Sequence, residues 1–239
     1  MIRTGMIEPW DRLSTWIIKD YEDNLYISQQ YGYNITGEQF ERYWFSRGGI
    51  SMQANLLCNP IPYLLRDEPK HFLRTYFNAF AVSYWPDTRM MTEHVLSFGE
   101  SRDKGDCGYK TSDESNSTYW LRMMFIQERG DELWLGAAVP RYWLAEGKNC
   151  GIENASTYFG PMSVKYESNA DHGRIEMILD PPRRNPPKKI YARFRHPDGH
   201  PIKRCQVNGS PYSNFDAEKE WVVLDQCPSE KTRITAYYE

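Results

Sequence analysis

The sequence predicts an α+β chain in two parts, helical hairpins over residues 1–148 and an antiparallel β-sandwich over residues 149–239. Apolar side chains recur at spacings of three and four up to about Lys148, and from Gly151 the period changes to two, broken by Pro-Pro, Pro-Asp-Gly and Asn-Gly. The 239 residues, 40% of them hydrophobic, are enough for two ordinary cores.

In the first part, Trp10, Leu13, Trp16, Ile17, Tyr21 and Leu25 mark a helix with Pro9 in its first turn, where a missing N–H costs nothing. Thr36-Gly37-Glu38-Gln39 opens a short second helix as a capping box and carries Phe40, Tyr43 and Trp44. Residues 51–58 form a third, ended by Asn59-Pro60 because the residue before proline is pushed out of the α region. The strongest pattern opens at Asp67-Glu68-Pro69, places Phe72, Leu73, Tyr76, Phe77, Phe80 and Tyr84 on one stripe, and stops at Trp85-Pro86. Between residues 86 and 110 periodicity disappears, and an irregular loop of that length in a compact domain is usually functional or disordered. Helix resumes at a second capping box, Thr111-Ser112-Asp113-Glu114, turns Trp120, Leu121, Met124 and Phe125 inward, and meets Gly130, placed to stop it. Leu133, Trp134 and Leu135 read as a short strand, and Pro140 leads one turn of helix through Trp143.

In the second part, segments 162–167, 174–179, 189–196, 202–207, 221–224 and 232–238 alternate or run apolar as strands. Asn208-Gly209 fits a two-residue hairpin, in which both central residues take positive φ. The helices of the first part are too few to close a helical ring, which needs roughly twice this helical length. Their stripes through Trp10 and Phe72 are expected to leave an apolar face for further helices.

A formal charge of -3 and the absence of a basic run argue against nucleic acid as a partner. Cys58, Cys107, Cys150, Cys205 and Cys227 are too scattered for a disulfide framework and form no C-x-x-C pair for zinc. No spacing resembles a calcium loop, a phosphate cradle or a serine nucleophile elbow, so neither a metal nor a cofactor is expected. The start lacks the build of a signal peptide and no window approaches the ~20 apolar residues that span a bilayer, so a cytoplasmic protein is the expectation and no membrane partner is implied. Eight Trp and 17 Tyr exceed what a core alone usually needs, and such rings also stack on sugar faces.

Five runs of residues carry a resemblance. They are Asp-Thr-Arg-Met-Met-Thr-Glu-His from Asp87, Tyr-Trp-Leu-Arg-Met-Met from Tyr119, Glu-Arg-Gly-Asp-Glu-Leu-Trp-Leu-Gly from Glu128, Val-Pro-Arg-Tyr-Trp-Leu from Val139, and Thr-Tyr-Phe-Gly-Pro from Thr157. With Asn-Pro-Pro-Lys-Lys from Asn185 on to His196-Pro197, they resemble the C-terminal end of large bacterial six-hairpin glycosidases of the α-L-rhamnosidase type. The resemblance covers most of the chain from about Asp67 onward. It implies a partial α/α toroid closed by a β-sandwich, and hydrolysis of a glycoside by two carboxylates with inversion. The toroid would be completed by a second polypeptide or a symmetry mate.

Inverting hydrolysis needs a protonated carboxyl on the leaving oxygen and a carboxylate about 6.5–9.5 Å away to activate water. The resemblance places the late carboxylate, the general base, at Glu93, in the irregular loop where catalytic groups concentrate. Thr92 and His94 flank it where the family tends to have Trp. Read from the residues alone, Glu93 is a solvated loop carboxylate or one pairing with Arg89, and it is the resemblance that sets the catalytic reading level with these. His94 either orients a substrate hydroxyl, holds Glu93, or is a surface histidine. Trp85, with Tyr84 beside it, would form a stacking wall for a sugar, although Tyr84 also fits the apolar stripe. Asp103, Asp106 and Tyr109 lie on the return limb, facing the same cavity or forming a solvated turn around Gly105 and Gly108. The general acid has no counterpart in this chain and comes from outside it. The competing functions are a non-catalytic carbohydrate-binding or scaffolding subunit and a purely structural interaction module.

Overall fold

Residues 6–20, 60–86, 88–91 and 111–239 are described by the computed structural model, with backbone alone for Lys19, Asp20, Asn78 and Val82. The second, third and part of the first helices expected from the sequence lie outside these residues. The chain divides into two compact units, Met1–Leu121 and Arg122–Glu239. No helix of the described residues is long and apolar enough to cross a membrane.

In the first unit, α1 (Arg12–Asp20) starts later than its apolar spacing suggests. Asp11 caps it, its Oδ1 accepting the Leu13 N–H at 2.7 Å, and this leaves Pro9 ahead of the helix instead of in its first turn. Its apolar stripe stands partly in water: Trp10, Leu13 and Trp16 are 64%, 45% and 55% exposed, while Ile18 and Ser14 are buried. Guanidinium groups cover two of these rings, Arg66 lying 4.8 Å over Trp10 and Arg12 4.5 Å over Trp16.

A short helix, α2 (Ile61–Leu65), buries Ile61, Tyr63 and Leu64, and α3 (Pro69–Ser83) follows with Pro69 at its first position. On α3 the buried positions are Phe72, Thr75, Tyr76, Ala79 and Ser83, a true three-and-four stripe, whereas Phe77 is 40% exposed. An aromatic ladder runs along it, with Tyr76–Phe80 centroids 6.0 Å and Phe80–Tyr84 centroids 4.7 Å apart. The tyrosine hydroxyl of Tyr76 bonds the side chain of Ser117 on α4 (Thr111–Phe125), and burial raises its pKa. The helical toroid itself is not visible in this set of described helices.

The second unit is β-rich. Six strands are ordered β10-β9-β13-β7-β6-β5, comprising β5 (Asn149–Ala155), β6 (Met162–Asn169), β7 (Arg174–Asp180), β9 (Arg204–Val207), β10 (Ser210–Tyr212) and β13 (Thr232–Tyr237). Five form a second sheet in the order β11-β12-β8-β4-β3. Its strands are β3 (Ile126–Arg129), β4 (Glu132–Leu135), β8 (Lys189–Arg193), β11 (Phe215–Asp216) and β12 (Trp221–Leu224). The alternation expected from the sequence is evident on β6 and β7, where Met162, Val164, Tyr166, Ile175, Met177 and Leu179 are buried and Lys165 is exposed. The turn at Asn208-Gly209 has positive φ at both residues, 49° and 81°, and pairs Val207 with Ser210.

Two features depart from the sequence reading. Gly130 does not stop a helix; α4 ends at Phe125 and β3 follows at once, so Gly130, with φ 62°, turns the β3–β4 hairpin. That hairpin then pairs with β8, which is why the second unit begins at Arg122 and the expected division at 148/149 falls inside it. The β4–β8 pairing is parallel, Glu132 opposite Lys189 and Leu135 opposite Ala192, in a domain expected to be antiparallel throughout.

The sheets meet around Tyr166 of β6. Its buried hydroxyl donates to the Arg193 carbonyl of β8 at 2.8 Å, and its ring meets Phe194 edge-on at 6.0 Å. Gly136 makes this approach possible, because with φ 68° a Cβ there would lie 1.8 Å from the tyrosine oxygen and 2.9 Å from the Arg193 oxygen. Gly136→Ala is therefore expected to destabilise the β-rich unit by roughly 2–6 kcal/mol, combining a left-handed backbone penalty with overpacking. Urea unfolding of the variant, followed by tryptophan fluorescence, measures this.

Candidate functional site

The stretch from Trp85 to Met91, expected to be the entry of an irregular loop, is a small hairpin. Tyr84–Trp85 (β1) pairs antiparallel with Met90–Met91 (β2), Trp85 opposite Met90 and Tyr84 opposite Met91. Trp85-Pro86 does stop α3, as the proline rule requires, but the chain then reverses in place. The Arg89 N–H donates to the Trp85 carbonyl at 2.7 Å, and Arg89 takes a positive φ of 59°. A non-glycine residue in that region is uncommon and marks a turn whose surroundings fix it.

Two of the sequence-predicted site residues thus share one turn, Trp85 half-buried and Arg89 exposed. Glu93, His94 and Tyr109, with Asp103 and Asp106, lie outside the described residues. The chain that leads to Glu93 leaves the hairpin at Met91, whose N–H donates to Glu114 Oε1 of α4 at 3.4 Å.

Glu114 is a contribution that sequence reasoning passed over. Thr111-Ser112-Asp113-Glu114 reads as a capping box, a motif that accounts for the glutamate locally and hides its reach to a strand more than twenty residues earlier. Asp113 beside it is fully buried in the first turn of α4 and accepts from the Ser112 hydroxyl at 3.2 Å, where the helix dipole favours a carboxylate. The visible signal was two adjacent carboxylates at a helix start facing an expected loop.

Two of the described thiols are ill suited to nucleophilic chemistry. Burial pushes the Cys150 thiol up to about 11 and the Cys205 thiol up to about 12, so neither offers a thiolate near neutral pH. Both are expected to resist iodoacetamide at pH 8 in the folded chain and to react only after denaturation, a contrast that mass spectrometry reads directly. Among the described residues no group of His, Cys, Asp and Glu could hold a metal ion.

The second unit carries its own ionic cluster, which ties loops together. Glu220, 2% exposed, receives both Arg141 guanidinium nitrogens, at 3.0 and 2.6 Å, and the His196 N–H at 2.6 Å. Arg193 and Arg195 donate to the Ala137 and Val139 carbonyls at 3.3 and 2.7 Å, so the strand-to-turn segment ahead of Arg141 is held at two points. His196 stacks on His200 and lies against Tyr238, both at 4.5 Å. Its pKa is depressed from 6.5, chiefly by burial and then by His200. The folded state therefore binds fewer protons at this ring than the unfolded chain, so stability is complete above pH 6.5 and declines as pH falls below it. Thermal melts from pH 7.5 to pH 5 test that slope, with His196→Gln expected to flatten it.

The chain is similar to parts of glycoside hydrolases. Among solved structures, it matches a glycoside hydrolase at 9% identity and a TM-score of 0.37, over 75% of this chain and 32% of that one. A β-arabinofuranosidase of family GH127 matches at 11% identity and 0.40, over 77% and 31% of the two chains. An α-L-rhamnosidase of Streptomyces avermitilis, complexed with L-rhamnose, matches at 16% identity and 0.40, over 74% and 17%. The chain spans a third or less of the length of each. No family model matches it, and neither does any curated protein.

Proposed function

We propose that this chain is the base-bearing part of a glycoside hydrolase that works by inversion, with Glu93 as the general base and the acid supplied from outside the chain. Its helical unit would be a segment of an α/α toroid, completed by a second polypeptide or a symmetry mate, and its β-rich unit the closing β-sandwich. The observation that carries the reading is the Tyr84–Met91 hairpin. It fixes Trp85 and Arg89 on one turn, is tied to α4 through Glu114, and delivers the chain two residues before Glu93. An aromatic ring and a guanidinium on one turn suit a saccharide, which is bound by stacking and by hydrogen bonds to its hydroxyls.

In this scheme Trp85 stacks on the sugar, Arg89 and His94 bond its hydroxyls, Tyr109 closes the return limb, and Glu93 takes a proton from the attacking water. Glu114 acts as a positioning residue through the Met91 N–H. The test is hydrolysis of a panel of aryl glycosides by the complete assembly, with the anomeric configuration of the first product read by NMR. An inverted product supports the scheme and a retained one excludes it. Exposed rings at Tyr142 and Tyr158, 74% and 79% accessible, favour a second reading as a carbohydrate-binding subunit, which glycan retention without turnover would establish.

A further inference from the structure

The β-rich unit has an open cleft of about 580 Å³ at the end of β6 and β7, lined by Asn154, Ser163, Asp180, Arg183 and Arg184 with prolines at its edge. We propose that this cleft binds a uronic-acid sugar, its carboxylate held by Arg184 with Arg183 beside it. The volume falls in the range of small-ligand sites.

The floor is built by the sheet. Ser163 pairs with Asp180 across β6 and β7, and a register irregularity between Ile152 and Ala155 pushes Asn154 out of the ladder with a positive φ of 49°. The Asn154 N–H donates to the Ser163 hydroxyl at 2.9 Å, so the bulge that brings Asn154 to the cleft is itself pinned.

The charge is set by three groups. Asp180 and Arg183 pair at 3.4 Å and largely cancel, both being exposed. Arg184 has no carboxylate partner among the described residues; its guanidinium reaches only the Tyr158 carbonyl, at 3.4 Å. The cleft therefore keeps one uncompensated fork of donors, the group that binds a planar carboxylate in two parallel hydrogen bonds.

Next to Arg184, outside the lining itself, stands an exposed aromatic residue. Tyr158 is 79% exposed, yet its backbone is held on both sides, its N–H donating to Glu128 Oε1 at 2.5 Å and its carbonyl accepting from Arg184. The Thr157 hydroxyl donates to the Gly160 carbonyl at 2.6 Å, and the Asn185 N–H donates to the Phe159 carbonyl at 3.0 Å, which joins this loop to the one bearing Arg184. Gly160, with φ 115°, lets the two loops touch, since a Cβ there would sit 3.2 Å from Arg184 Cβ. Holding a tyrosine in water on a loop this constrained removes the ordering cost a ligand would otherwise meet. The Thr-Tyr-Phe-Gly-Pro run and the Pro-Pro-Arg-Arg-Asn-Pro-Pro run, which the proposed hydrolysis does not use, both have their place in this cleft. The proposal does not depend on hydrolysis.

Calorimetric titration of the 239-residue chain with trigalacturonate, and with maltotriose as the neutral counterpart, tests it. Trigalacturonate is expected to bind and maltotriose not to. Arg184→Gln, which keeps the stem that packs on Gly160, is expected to weaken binding by about 10- to 100-fold, the usual worth of a charged hydrogen bond. Tyr158→Ala is expected to weaken it several-fold, with circular dichroism showing both variants folded. Equal binding of the neutral trisaccharide, unchanged affinity in Arg184→Gln, or unchanged affinity in Tyr158→Ala would each overturn the proposal.

Discussion

Replacing Glu93 with Gln in the complete assembly is expected to lower turnover by about 10² to 10⁴, the usual contribution of general base catalysis, while substrate binding changes little. Gln has the size of Glu and keeps hydrogen bonding to water, but it cannot accept the proton that attack on the anomeric carbon releases. A fall in kcat with KM nearly constant identifies an interaction made in the transition state. Azide supplied to the variant is a sharper check, because an external anion can attack where activated water no longer does, giving the inverted glycosyl azide. Turnover of the variant at the parent rate would remove Glu93 from the mechanism.

The second large effect concerns stability. Arg141→Ala strips the Glu220 carboxylate of its charged partner while leaving it 2% exposed. Breaking a buried pair from one side typically costs 3–5 kcal/mol, and since Arg141 is itself 31% exposed the lower end applies, about 3 kcal/mol. For a unit of this size that lowers Tm by on the order of 10 °C. Glu220→Gln should cost less, because its side-chain oxygen still accepts the His196 N–H. The ordering of the two melting curves, Arg141→Ala below Glu220→Gln, is the result to look for; coincident curves would show that the pair is electrostatically idle.

The difference between what the sequence announced and what it concealed is physical. Strands β6 and β7 were legible because a two-sided environment writes itself into every second residue, and Asn208-Gly209 because few other dipeptides take positive φ twice. The β3–β4 hairpin was legible only as a short apolar run. Its partner, β8, starts at Lys189 opposite Glu132, and no local pattern encodes a contact so distant in the chain. Gly130 illustrates the ambiguity, since the same left-handed glycine ends a helix or turns a hairpin. The β1–β2 hairpin, with strands of two residues each, is shorter than any periodicity can register. On α1, three-and-four spacing located a helix, but not the guanidinium groups that lie over Trp10 and Trp16, which are tertiary and local contacts no periodicity encodes. Around the candidate site, the end of the aromatic helix at Trp85-Pro86 was legible, whereas the bond from Met91 to Glu114 was not, since it is tertiary.

The position of β13 has a consequence for biosynthesis. Residues 232–237 are not an edge but an interior strand, hydrogen-bonded to β7 on one side and β9 on the other. Until residue 237 has left the ribosome, the six-stranded sheet is split into two fragments with facing open edges, and β4 waits for β8 in the same way. Such non-local closure is slow, and it exposes strand edges to other nascent chains in the interval. Pairing of β13 with β7 and β9 is therefore the step that makes the six-stranded sheet continuous, and a chain lacking these six residues would keep two open edges for chaperones to hold and proteases to clear.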